Sequence, residues 1–145
     1  MKKEVTRLTE LQGIGPETEK DFFEKGYPYA EDLLATDLAS LCADLDDIRG
    51  VNGTNLYSNY IPQALFLRIE NMTGQIAEGL ALSGIRTYRE FLSKKAVDLV
   101  EILKERKDEG IIPKVPSEQE LVELQLGAAQ LVDTSLLYIT LIDTK

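Results

Sequence analysis

The amino-acid sequence predicts a mainly α-helical protein, built from two tandem copies of one unit of short helices. One observation is an internal repeat, in which an early part of the chain matches a later part at apolar and glycine positions. Another is that helix start and stop signals stand at matching places in both copies. Within the copies, apolar residues recur mostly at helical spacing. Because 145 residues suit a single core, we expect one domain over residues 1–145.

The repeat sets the bounds of the two copies at about residues 11–66 and 69–131. The offset between matched residues is 58 in the early part of each copy and 65 in the later part. The seven extra residues predict an insertion within Lys104–Lys114, where charge, glycine and proline are typical of a surface loop. Matched pairs include Phe22 with Leu80, Gly26 with Gly84, and Ala64 with Ala129.

Local signals define the helices of each copy. Gly15-Pro16 opens the first helix, because proline at the first helical position loses no needed N–H. We expect Phe22-Phe23 to form its buried face and Gly26 to end it. The counterpart in the second copy runs from about Gly74 to Ser83 and stops at Gly84.

Later helices begin at two capping boxes, Thr87-x-x-Glu90 and Ser117-x-x-Glu120. Apolar spacing over residues 97–103 marks a helix between them. Pro62 falls within the helical stretch Thr54–Ile69, and a proline inside a helix removes one backbone hydrogen bond. We therefore expect a kink there.

The two ends of the chain, Glu4–Leu8 and Leu137–Ile142, are rich in β-branched residues. They predict either a small terminal β-ribbon, or an extended tail over residues 134–145 that packs on the protein's own core or on a partner. Alternating apolar residues predict one buried face of the tail, within the chain or in a homodimer: Leu137, Ile139 and Leu141.

Composition excludes several function classes. The chain has 25 acidic and 16 basic residues, a net charge of −9, no histidine and one cysteine. Without histidine there is no Ser–His–Asp triad, no imidazole base and no histidine-ligated zinc. The lone Cys42 excludes an intramolecular disulfide, and its apolar setting predicts a buried thiol. We expect a non-catalytic protein without a metal or cofactor.

The N-terminal sequence lacks the apolar core of a signal peptide. The longest uncharged stretch near either end, Thr134–Ile142, is too short to span a bilayer. These observations predict a cytoplasmic protein without a membrane partner.

The most suggestive motif is the turn Gly13-Ile14-Gly15, which lies between apolar Leu11 and the first helix. Two glycines allow a tight turn with exposed N–H groups at a helix N-terminus, where a phosphate can bind with help from Lys20. Acidic residues oppose this binding because they occupy the positive end of the helix: Glu17, Glu19 and Asp21.

Two further turns resemble the first only in part. In the second copy, Asn71-Met72-Thr73 replaces the glycine turn, which predicts that the turn persists with Met72 as its plug and that the phosphate contact is lost. Between them, Ile48–Gly53 is a glycine-rich turn that leads into the Thr54 helix and is expected only to reverse the chain.

Charge is uneven along the chain. Residues 1–47 carry a net charge of −7, whereas residues 48–107 carry +3. The favoured interpretation of the basic residues is a solvated helix face with i,i+4 pairs, and the alternative is one basic patch. The candidates for that patch are Arg68, Arg86, Arg89, Lys94 and Lys95.

At these motifs the chain resembles domain-of-unknown-function family 4332, whose members are tandem helix-hairpin-helix proteins. The resemblance covers about residues 8–132 and rests on three stretches: Leu11–Leu34, Gln63–Ile69 running into IAEGLALSGIRTYREFL, and Val115-Pro116-Ser117 leading into the Ala128-Ala129 helix. It implies a fold of helix-hairpin-helix units and no known activity. The chain departs from the family pattern in its second turn and in lacking tryptophan.

Two functions follow from these observations. The favoured one is a non-catalytic interaction or scaffold module that binds another protein or forms a homodimer. The alternative is a nucleic-acid-binding module that uses the Gly13–Gly15 turn, and the acidity of the chain predicts weak or no such binding. The acidic cluster Asp44, Asp46 and Asp47 does not match a calcium loop, because Arg49 occupies the glycine position.

Overall fold

A computed structural model describes residues 5–134, with side chains described through residue 132. The protein is mainly helical, which confirms the predicted fold class. Across the described residues no strand forms, and no helix there is long and apolar enough to cross a membrane. The tail residues Leu137, Ile139 and Leu141 lie outside the described part of the chain.

The described elements begin with a short 3-10 helix and continue as helices of 3 to 17 residues. Residues 53–66 run without a break through two short helices and a π-helical turn between them, and we call them the central helix. In order, the elements are the 3-10 helix Leu8–Glu10, α1 (Pro16–Glu24), α2 (Glu31–Leu34), α3 (Leu38–Leu45), α4 (Gly53–Asn55), the π turn Leu56–Tyr60, α5 (Ile61–Phe66), α6 (Gly74–Leu82), α7 (Tyr88–Leu92), α8 (Ala96–Asp108) and α9 (Glu118–Thr134).

The helix bounds recur at the offsets found in the sequence. A shift of 58 residues carries both bounds of α1 onto those of α6, and carries the start of α3 onto the start of α8. A shift of 65 carries the start of the central helix onto the start of α9. These matched bounds support an interpretation as two repeats, and superposition of residues 11–66 on residues 69–131 stays a prediction.

The first helix begins and ends where the sequence predicts. Pro16 is its first residue, and Gly26 follows it in the left-handed conformation, with a φ of +94°. The predicted buried face is wrong for one residue, because Phe22 is fully buried and Phe23 is 67% exposed. Adjacent residues of an α-helix point about 100° apart, and the side of α1 that carries Phe23 is left exposed by the other described elements.

The capping boxes form with one difference. Ser117 and Glu120 make both reciprocal bonds, at 3.0 and 3.1 Å. Thr87 accepts a hydrogen bond from the Glu90 N–H at 3.0 Å, but the Glu90 carboxylate accepts from the N–H of Arg86 rather than from that of Thr87. Both helix starts are therefore satisfied.

The insertion within Lys104–Lys114 is only partly a loop. α8 continues through its first residues to Asp108, and Gly110 in the left-handed conformation follows the helix end. The loop does not project freely, because Ile112 is 2% exposed and lies against Gly79 of α6. The chain therefore leaves the helix after Asp108, within the predicted stretch, and the loop that follows is packed on α6.

The irregularity expected at Pro62 takes the form of the π turn. Ile61 donates its N–H to the carbonyl of Leu56, five residues earlier. Pro62 itself has no N–H to donate, and a wider turn ahead of it lets the chain continue as a helix.

The described part of the N-terminal β-candidate pairs with residues 29–30. Arg7 forms an isolated antiparallel bridge with Tyr29, and Ala30 donates its N–H to the carbonyl of Thr6 at 2.9 Å. The other half of the predicted ribbon, Leu137–Ile142, lies outside the described residues.

A continuous core joins both copies around the central helix. Phe66 contacts the rings of Tyr88 and Phe91 at centroid distances of 6.2 and 5.6 Å. The Tyr88 hydroxyl donates to the carbonyl of Leu65 at 2.7 Å, so this ring is satisfied as well as buried. Cys42 is half-buried at the edge of the core, less buried than expected.

Candidate functional site

The glycine turn of the first copy is held by a buried glutamine of the central helix. The N–H of Gln12 donates to the side-chain oxygen of Gln63 at 2.7 Å. The Gln63 amide nitrogen donates to the Gln12 carbonyl at 3.2 Å and to the side-chain oxygen of Asn59 at 2.7 Å. Both backbone polar groups of Gln12 are therefore bonded to the central helix, which fixes the turn.

Three turns of the chain share one conformation. Each has a left-handed residue: Gly13, Gly50 and Asn71, with φ of +98°, +82° and +72°. A buried apolar residue follows each: Ile14, Val51 and Met72. Its N–H donates three residues back, to the carbonyls of Leu11, Ile48 and Ile69. Asparagine is among the few side chains that tolerate this conformation, so the second turn keeps its shape without glycine.

The surroundings of the first turn are unfavourable for a phosphate. Glu17 and Glu19 lie in the first turn of α1. Glu19 binds the guanidinium of Arg7 at 2.8 Å, and this hydrogen bond lowers the pKa of Glu19, which keeps the carboxylate charged. Lys20 is exposed on the same helix, and Pro16–Glu24 contains no other lysine or arginine.

The structure divides the five basic candidates. Arg86 and Arg89 line one cleft of about 320 Å³ between the two copies, where the Arg86 guanidinium lies 5.8 Å from the centre of the Tyr57 ring. Arg68 is only 7% exposed and lines a different groove. Lys94 and Lys95 are exposed just before α8. These residues do not share one of the described grooves.

The acidic cluster has structural roles at the end of α1. The Tyr27 hydroxyl donates to the carboxylate of Asp44, and this bond raises the pKa of Tyr27 to about 12. Asp47 binds Lys25 at 2.9 Å. Within residues 5–132, no three acidic, cysteine or histidine side chains gather as a metal site requires.

Glu78 of α6 is partly buried against the central helix. Burial raises its pKa, and a side-chain hydrogen bond with Asn59 opposes that rise. Burial also raises the pKa of Tyr60, and the nearby Glu78 charge adds to this. Glu78 thus carries a charge that the fold disfavours.

We expect Glu78→Gln to raise the melting temperature at pH 7 by about 1–2 °C. Because the fold raises the pKa of Glu78, the protonated carboxyl is the form that favours folding. Its contribution to stability is fully present below the ordinary glutamate pKa and is lost as pH rises through the pKa of the folded state. The amide keeps a hydrogen bond to Asn59 without the charge. Thermal unfolding between pH 4 and 8 measures this, with the exposed Glu105→Gln as a control of equal charge change. Equal gains in both variants would contradict the argument.

An exposed aromatic groove lies on the outer side of α1. Phe23 and Tyr29 are 67% and 43% exposed. Together with two prolines and Lys20 they line a groove of about 370 Å³, which we call the α1 groove: Pro16, Lys20, Phe23, Pro28 and Tyr29, with Arg7 and Glu19 at its edge. The sequence does not predict this surface, because the apolar pair Phe22-Phe23 indicates that both rings are buried.

A second groove, of about 630 Å³, lies between the Asn71 turn and the last helix. We call it the α9 groove, and its lining includes Arg68, Glu70, Glu120, Glu123 and Leu126. Leu126 is 61% exposed, so the groove presents an apolar residue beside three carboxylates.

Comparison of the chain with models of protein families, with curated proteins and with solved structures gives no significant match. The resemblance to the tandem helix-hairpin-helix family therefore stays a prediction that rests on the sequence motifs.

Proposed function

We propose that this protein is a non-catalytic interaction module of the helix-hairpin-helix type, and that the α1 groove is a docking surface for a protein partner. The observation that carries the proposal is the exposure of Phe23 beside Tyr29. Aromatic side chains are enriched at protein interfaces, and an exposed apolar patch with a charged rim is typical of an interaction site.

The charges of the chain favour a protein partner over a nucleic acid. A net charge of −9 repels a phosphate backbone, and Glu17 and Glu19 occupy the end of α1 that an anion would need. Arg68 is buried, which removes one of the five candidates for a basic patch. The alternative function keeps one point in its favour, namely the exposed glycines of the first turn.

Affinity capture from lysate of the source cells tests the proposal when three baits are compared. We expect a set of proteins that the wild type and Leu82→Ser retain and that Phe23→Ser loses. Leu82 is a matched control because it is also an exposed apolar residue on a helix, at the end of α6. Identical sets from all three baits would contradict a role for the α1 groove.

A salt titration with duplex DNA tests the alternative. We expect binding no tighter than about 10⁻⁴–10⁻⁶ M, the range of non-specific association. Gly15→Val is the informative variant, because a β-carbon at Gly15 meets no atom within 4 Å and the backbone there is not left-handed. Submicromolar binding that is lost in folded Gly15→Val would replace the proposed function with the nucleic-acid one.

A further inference from the structure

We propose that the protein self-associates head to tail, with α1 of one copy seated in the α9 groove of the next. This inference rests on the proposed function, since it names the partner of the α1 groove as a second copy of this chain. The evidence for it is that a corresponding helix packing, that of α6 on the central helix, already exists inside the molecule.

The internal example is α6 on the central helix. Gly74 lies against the carbonyl of Glu10 and the amide of Gln12, beside the first turn. One turn of helix later, Glu78 bonds to Asn59 of the central helix. Ala81, on the same helix, is fully buried. α6 therefore fills the space between the first turn and the central helix.

The offset of 58 places α1 residues at the same positions. Pro16 corresponds to Gly74, Lys20 to Glu78, and Phe23 to Ala81. Buried Ala81 thus has an exposed phenylalanine as its counterpart. The face of α6 that carries Gly74, Glu78 and Ala81 therefore corresponds to the face of α1 that lines the α1 groove.

The receiving surface repeats as well. The Asn71 turn has the conformation of the Gly13 turn, and α9 corresponds to the central helix at the offset of 65. Leu126 then corresponds to Ile61, which is buried in the first copy. The space that α6 fills in the first copy corresponds to the α9 groove in the second, which is open among the described residues.

Charge suits this occupant. The α9 groove has three carboxylates and one guanidinium, and α9 itself contains no lysine or arginine. The incoming α1 would bring Lys20 to the position that Glu78 holds inside the molecule, so a cation enters an acidic groove. Pro16 is bulkier than Gly74, so α1 sits further from the turn than α6 does, and the contact is weaker than the internal one.

The two surfaces differ, so the contact is heterologous and leaves one groove open at each end of the assembly. The association therefore grows with protein concentration. It also allows a complementation test, because a copy that lacks one surface keeps the other.

Sedimentation velocity over a concentration series, at about 0.15 M salt to screen the net charge, tests the proposal. We expect the wild type and the control Leu82→Glu to self-associate. Phe23→Glu and Leu126→Glu are each expected to weaken association about 30-fold, the loss typical of a central interface residue. An equimolar mixture of these two variants should form dimers, because the first keeps its α9 groove and the second its α1 groove.

Three results would overturn the inference: a wild type that stays monomeric, a single variant that still dimerises, or a mixture that stays monomeric. The capture experiment with Phe23→Ser still decides the proposed function in each case. Circular dichroism checks folding, and the milder pair Phe23→Ser and Leu126→Ser repeats the mixing test if a glutamate variant does not fold.

Discussion

Gly74→Ala is expected to destabilise the protein by about 2–3 kcal/mol, at the upper end of the cost of overpacking. A β-carbon at Gly74 would overlap the backbone carbonyl of Glu10 and press on the side chain of Gln12. Backbone cannot rotate away as a side-chain end does, so the first turn and α6 must separate. The lower entropy of the unfolded alanine chain offsets only about 0.4–1 kcal/mol.

Denaturant and thermal unfolding measure the change, which corresponds to a fall in melting temperature of about 5–10 °C. The matched control is Gly15→Ala, which also lies at a helix start but meets no atom within 4 Å. We expect that variant to stay within about 0.5 kcal/mol of the wild type. Similar losses at Gly74 and Gly15 would show that packing against the first turn is not the cause.

Gln63→Leu is expected to cost about 2–3 kcal/mol, although leucine is of similar size and apolar. The change leaves the N–H and carbonyl of Gln12, and the side chain of Asn59, without the partner that Gln63 provides. An unsatisfied buried polar group costs about 1–3 kcal/mol, and here several lose their partner together.

Hydrogen exchange adds a local measurement to the unfolding curve. The amide of Gln12 should exchange much faster in Gln63→Leu, because its bond to the side chain is gone. Gln125→Leu is the matched control, since Gln125 also donates to backbone carbonyls, of Phe91 and Lys94, but is only half-buried. Water replaces those bonds, so a loss of about 1 kcal/mol or less is expected. Equal losses in the two variants would contradict the importance of burial.

Helix bounds were predictable where the deciding signals are local. Pro16 at a helix start, Gly26 and Gly84 after helix ends, and the Ser117 capping box all act within a few residues. The internal repeat supports these predictions, because helix signals recur at matching positions of the two copies, as Gly26 and Gly84 do. The structure agrees with the sequence at these places because no distant contact competes with them.

The surfaces were less predictable, because the burial of a side chain depends on which distant parts of the chain pack against it. Phe23 is as apolar as Phe22, and the sequence shows no difference between them that decides which ring faces the core. Arg68 has a charge typical of a surface, yet it is buried beside α9. Nothing near Gln63 in the sequence marks it as a structural residue, because it bonds to a turn that is 51 residues away in the chain.

The Lys104–Lys114 stretch carries signals for both helix and loop. Charge alone does not mark a loop, because lysine, arginine and glutamate are good helix formers. Lys104 also binds Glu101 at 3.0 Å along α8, which supports the helix in water. Only glycine and proline, at 110 and 113, mark where the helix cannot continue.

The central helix lies at the end of the first copy and contacts the second copy as well. Its side chains pack against α2 and α3 of the first copy and against α6 of the second. In a solenoid each repeat contacts only its neighbours, and a repeat can unfold while others stay folded. Here the unfolding of either copy removes a surface against which the other copy packs. We therefore expect the chain to unfold in one cooperative transition. Two repeats that pack on one common helix are thus expected to fold as a single all-or-none unit, not as separable modules.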